Sequence, residues 1–134
     1  MASNLNYSNG TRNAQQQGLI TYAGTGSLLR IYNGTQPTNA NTAISTQTLI
    51  VTLTIAGGFG TDSNGTLTLG TVTDGTAVAT STAEFFRIVK SDGTTVVMDG
   101  SVSTSGADLN LNDTSIASGQ VVSITSGTII RANQ

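Results

Sequence analysis

Residues 48–56, Thr-Leu-Ile-Val-Thr-Leu-Thr-Ile-Ala, repeat with a period of two. Leu49, Val51, Leu53 and Ile55 fall on one side, and Thr48, Thr52 and Thr54 on the other; Ile50 is the lone apolar residue among the threonines. Successive side chains of an extended chain point to opposite faces, so this segment reads as a strand with one apolar and one wettable face. A helix would scatter the same residues around its circumference. The chain is therefore committed to a sheet whose outer side meets water or a partner.

Similar but shorter patterns recur. Residues 28–33 alternate and close on the Asn33–Gly34 turn, and residues 35–45, with the sole proline Pro37, read as a loop. Gly57-Gly-Phe-Gly60 and Asp62-Ser-Asn-Gly65 interrupt the chain before Leu67 and Leu69 mark another strand. Val72 precedes an expected Asp74–Gly75 turn, and residues 77–82 form a weak strand. In residues 83–90, Phe86 and Ile88 share one face and Phe85, Arg87 and Val89 the other. Ser91-Asp-Gly-Thr94 joins this strand to residues 95–99 as a hairpin, because Asp-Gly readily supplies the positive φ such turns need. Asp99–Gly100 reads as a further turn, Leu109 and Leu111 point inward from residues 108–112, and the last strand, residues 120–132, bends at Ser126–Gly127. Roughly eight short strands, spaced about 8–12 residues apart, predict an all-β fold: an antiparallel β-sandwich or a partly open barrel.

The N-terminal part differs. Residues 1–10 are polar and read as an arm, and Thr11 is placed to cap a short helix over residues 12–23 that stops at Gly24. The expected division is an arm and helix over residues 1–26 and a β domain over residues 27–134.

Composition then excludes chemistry. The chain has no Cys, His or Trp, and only 9% of its 134 residues are charged. Thiol nucleophiles, disulfides and the usual zinc sites need residues it lacks, and general acid–base catalysis loses its commonest group. Five basic residues stand singly and the net charge is −2, so no cluster of cations suits a nucleic-acid backbone. Neither a cationic leader followed by an apolar run nor a membrane-length apolar stretch is visible. The expectation is a non-catalytic protein with no cofactor, no nucleic-acid partner and no membrane span.

Of the seven carboxylates, Asp62, Asp74, Asp92 and Asp99 are assigned to turns. Asp108, Asn110, Asn112 and Asp113 could offer oxygen ligands to a calcium ion, although the EF-hand glycine and glutamate are missing; a solvated strand face is the favoured reading. Arg30 and Arg87 sit in otherwise apolar strands, either facing water or paired with a carboxylate, for which Glu84 is the strand candidate.

Three stretches, Leu29-Arg-Ile-Tyr-Asn-Gly-Thr-Gln-Pro37, residues 86–102 (Phe-Arg-Ile-Val-Lys-Ser-Asp-Gly-Thr-Thr-Val-Val-Met-Asp-Gly-Ser-Val) and Ser105-Gly-Ala-Asp-Leu-Asn-Leu-Asn112, resemble a family of small virion-associated structural proteins of tailed bacteriophages and prophages. The resemblance runs over residues 11–132; where members often carry Trp-Phe, this chain has Phe85-Phe86. It implies a virion protein assembled in the host cytoplasm. Foremost is a capsid decoration (cement) protein that binds the major capsid protein on the outer head surface and forms a homo-oligomer, a trimer being favoured. A tail or neck component is the alternative, and a displayed receptor- or glycan-binding module a second one. The residues expected at such an interface are Asn4, Tyr7, Arg12, Leu19, Ile20, Tyr22 and Phe59.

Overall fold

The structure is a computed structural model and describes residues 6–130. It is a mostly β fold with one N-terminal helix, α1 (Asn9–Ala23). The strands are β1 (Leu28–Asn33), β2 (Thr48–Ile55), β3 (Gly60–Ser63), β4 (Thr66–Leu69), β5 (Val72–Thr73), β6 (Gly75–Thr76), β7 (Ser81–Thr82), β8 (Phe85–Val89), β9 (Val96–Ser103), β10 (Leu109–Leu111), β11 (Ser115–Ile116), β12 (Val121–Val122) and β13 (Ile124–Ile130).

Nine of these form one sheet in the order β3-β4-β13-β10-β9-β8-β1-β2-β5. Its two ends are the same hairpin. The chain of β2 runs on into β3 while that of β4 runs on into β5, and Ala56 N–H to Thr71 O (2.8 Å) and Gly70 N–H to Phe59 O (2.9 Å) bridge the bend. Counting β2/β3 and β4/β5 as one strand each, seven strands wrap into a nearly closed barrel. Closure removes the edges that an open sheet would expose. The corner depends on glycine: Gly57 has φ +72°, and a Cβ on Gly70 would lie 2.4 Å from the Gly58 carbonyl oxygen. The Gly-Gly-Phe-Gly segment is thus a sheet corner, and it turns Phe59 into the core.

The barrel interior is filled by Leu29, Ile31, Val51, Leu53, Ile55, Phe86, Ile88, Leu109 and Leu111 with Phe59 and Leu67. Residues 75–83 pair with residues 114–122 through the short β6–β12 and β7–β11 ladders and contribute Ala77, Ala83, Ile116 and Val122 to the same core. The helix contributes Ala23, with Leu19 and Ile20 packed against the cluster.

Several local expectations are corrected. The sheet is mixed, because β10 runs parallel to β9. Parallel neighbours usually need a connection of about a dozen residues or more. Here only residues 104–108 intervene, and Asp108 fastens the loop by accepting the Ser101 N–H and hydroxyl, each at 3.0 Å. Ile50 is fully buried instead of facing out with the threonines, because a bulge in β2 (Ile31 opposite Val51, Tyr32 opposite Leu49) leaves it unpaired. Asp99–Gly100 is no turn; it lies mid-strand in β9, where Gly100 passes so close to Phe86 that a Cβ would sit 2.5 Å from the ring. Gly75 is likewise in strand, pressed on Thr52 O and Leu53. The expected bend at Ser126–Gly127 falls at Thr125, between the Asn110–Ser126 and Leu111–Ile124 pairs. The helix begins at Asn9, capped by the Ser8 hydroxyl on Thr11 N–H (3.2 Å), so Thr11 lies inside it and residues 9–10 are not arm. Gly24 ends it as expected, with φ +72° and its N–H on Ile20 O.

Candidate interaction surface

The residues expected at an interface are largely used within the chain. Asn4 lies outside the described residues. Arg12 donates to Asn9 Oδ1 at 3.2 Å and its guanidinium lies against Gly65 in the β3–β4 turn. The same turn is held by Asn13 Oδ1, which accepts Gly65 N–H (2.8 Å), by buried Gln16, which donates to Gly65 O (2.7 Å), and by Gln17, which donates to Asp62. Asp62 therefore serves β3 and the helix contact, while Asn64 and Gly65, both with positive φ, make the turn. Leu19 and Ile20 face the core, and Tyr7 is half-buried. Phe59, expected to present a ring to a partner, is buried, so it is corrected to a core residue. Tyr22 alone of the described aromatics is exposed, at 51%, with Lys90 Nζ 3.9 Å from its ring centroid.

Polar side chains in and beside the three stretches quoted above are spent on separate internal contacts. On the outer side of β1 and β8, Tyr32 stacks on Phe85 with centroids 5.2 Å apart. Next along β8, Arg87 makes a forked contact with Asp99 of β9, Nε to Oδ1 at 2.7 Å and Nη2 to Oδ2 at 2.8 Å, both side chains about 5% exposed or less. The hydrogen bonds that Arg87 donates to Asp99 hold its guanidinium charged more firmly than usual, against the opposing effect of burial. Glu84, the expected partner, instead accepts Asn33 Nδ2 (2.8 Å) and Gly34 N–H (2.6 Å), tying the β1 exit to the β8 entry. In the β8–β9 turn, Asp92 accepts Thr95 and Thr94 donors, which lower its pKa to about 2.

Three of the four residues of the calcium reading are similarly engaged, Asp108 on Ser101, Asn110 Oδ1 on Ala107 N–H and Asp113 on Ser115 N–H, while Asn112 is exposed. Among the described residues no three His, Cys, Asp or Glu side chains gather as a metal site. A cavity of about 300 Å³ opens where β4 and β5 meet β13; it is lined by Leu69, Val72 and Ile124 with Thr68 and Thr125, and no lining side chain titrates. That surface can take an apolar group but offers no acid, base or nucleophile of ordinary reactivity. No described helix is long and apolar enough to cross a membrane.

No family model, curated protein or solved structure matches the chain.

Proposed function

We propose that the chain is a structural component of a tailed-bacteriophage virion, a capsid decoration protein that binds the major capsid protein on the outer head surface and acts without catalysis or cofactor. The observation that carries the reading is where its signature residues go. Arg87, Asp92, Asp99, Gly100 and Asp108 serve an ion pair, a hairpin turn, a close strand approach and a loop clasp. A signature spent on holding a barrel rigid supports a protein whose task is to be a building block. The scarcity of charge and the threonine-faced β2 support contacts made by surface shape and hydroxyl groups.

The docked helix changes how attachment is to be tested. Removing residues 1–10 would take the Ser8 cap and the first helical residues with it, so the informative truncation stops at residue 6. Added to phage particles lacking it, the full chain is expected to coat the head in many copies, as counted by quantitative mass spectrometry and located by electron microscopy. Confinement to a single ring at the neck or tail would overturn the decoration reading in favour of the tail or neck alternative. Undiminished head binding by the truncated chain would show that the N-terminal residues are not the attachment.

A further inference from the structure

Among the described residues, Arg30 and Asp74 are the two charged side chains for which the structure provides no hydrogen bond, ion pair or ring contact. In a chain with so little charge this is a narrow set, and its placement is informative. Arg30 projects from the outer face of β1, between buried Leu29 and Ile31, with Thr52 of β2 opposite on one side and Arg87 of β8 on the other, and its half-exposed guanidinium reaches along the strand to Gly93 of the β8–β9 turn. Asp99 is already taken by both arms of Arg87, so Arg30 faces a like charge across the strands with no carboxylate of its own.

Asp74 lies on the far side of β2. It follows Thr73, whose Cα partner is Thr54, and it is exposed. Arg30 and Asp74 are thus two strand spacings apart, roughly 10 Å, too far to meet within one copy. On β2, between the two strands that carry them, Thr52 and Thr54 expose short side chains. Beyond Asp74, β12 and the segment after β6 expose two large aliphatic side chains, Val121 at 56% and Val78 at 69%. One region therefore carries a positive group, a negative group and an apolar strip, all without partners inside the chain.

We infer that this face binds a second copy of the chain, with Arg30 of one copy paired to Asp74 of the other and Val78 and Val121 covered beside the contact. The complement each charge needs is present on the same surface, which is the requirement for self-association. A two-fold dimer makes the contact twice, and a closed ring of three makes it once per interface; both use the same pair. The inference rests on the homo-oligomer part of the proposed function and not on where the particle holds it. Its test uses the isolated full chain, so failure here leaves attachment to the head to be judged separately.

The test is a charge exchange followed by sedimentation velocity and light scattering. The wild type is expected to associate with rising concentration. Arg30→Glu and Asp74→Lys should each weaken association by about tenfold or more, because each sets like charges in contact. The double variant Arg30→Glu with Asp74→Lys should restore it to within a few-fold. Arg30→Gln, which adds no new charge, guards against a local disturbance around Arg87 and should weaken association less than Arg30→Glu. A wild type that stays monomeric, single variants that associate as the wild type does, or a double variant no better than the singles would each overturn the inference.

Discussion

Strands β2 and β8 flank β1 on its two sides and both line the barrel, yet their outer faces are opposites. Outside β2 stand exposed Thr52 and Thr54 and, past the bulge, half-buried Leu49 opposite Tyr32. Outside β8 stand Phe85, Arg87 and Val89, all buried, so that every residue of β8 is inaccessible. Both pair antiparallel with β1. What differs is the length and chemistry of the neighbours: Tyr32 lies over Phe85, and Asp99 reaches across to the Arg87 guanidinium. A row of long side chains tied to one another excludes water from its own sheet surface, whereas a row of threonines cannot. The barrel thus has a second, smaller core on its outside, with an ion pair at its centre.

The largest effect should come from breaking that outer core by halves. Asp99→Ala leaves the Arg87 charge buried without a partner, and breaking a buried pair in this way costs about 3–5 kcal/mol. Replacing both, Arg87→Met with Asp99→Leu, should be close to neutral or stabilising, since the desolvation of both charges disappears with their attraction. Urea unfolding of the three proteins decides it. If Asp99→Ala unfolds as the wild type does, the outer face of β8 is wetter than described.

A second comparison sits within β2. Ile50→Ala should cost about 2–5 kcal/mol, as for other large-to-small changes in a core. Thr52→Ala should stay within about 0.5 kcal/mol, as for an exposed site. Strict alternation places Ile50 among the exposed threonines and would make both changes mild, so thermal unfolding of the pair tests the bulge directly. The Tyr32–Phe85 stack should contribute less, about 0.5–1.5 kcal/mol of coupling in a double-mutant cycle with Tyr32→Leu and Phe85→Leu. A coupling near zero would mean that the two rings are adjacent without stabilising each other.

These contrasts explain what the sequence made legible. The barrel strands follow from alternation wherever one face meets water: β1, β2, β4 and β10 stand where period and turn residues place them. Alternation is silent on β8, because Phe85-Phe86-Arg87-Ile88-Val89 is apolar on both faces except for one arginine, and no local rule names Asp99 as its partner. Dipeptide rules failed at Asp99–Gly100 for a related reason. Asp-Gly favours a turn when nothing else competes, but here Asp99 is held by Arg87 and Gly100 is needed for the close pass of Phe86. The residues expected at an interface are polar, apolar or aromatic side chains of the N-terminal part together with Phe59. No local pattern shows that Arg12, with its neighbours Asn13 and Gln16, spends its polar groups on the β3–β4 turn. Arg30 and Asp74 gave no local signal, since a missing partner is a property of the fold.

The smallest expected effect contrasts the buried Asp99 with the exposed Asp92 of the hairpin next to it. Asp92 accepts the side-chain and backbone donors of Thr95 and the backbone N–H of Thr94, which lower its pKa from 3.8 to about 2 in the folded chain. A carboxyl group with a depressed folded pKa binds protons more readily when unfolded, so it stabilises the fold above the unfolded pKa. That contribution should fade as pH falls from about 4 and be gone once pH has passed through about 2. Asp92→Asn keeps an acceptor in the turn but cannot titrate. Its difference in stability from the wild type should therefore shrink steadily over the same window, as measured by urea midpoints at successive pH values. A difference that stays constant down to pH 2 would show that the turn holds its shape without the charge of Asp92. The hairpin would then owe its geometry to Gly93, at φ +79°, and to the strands it joins.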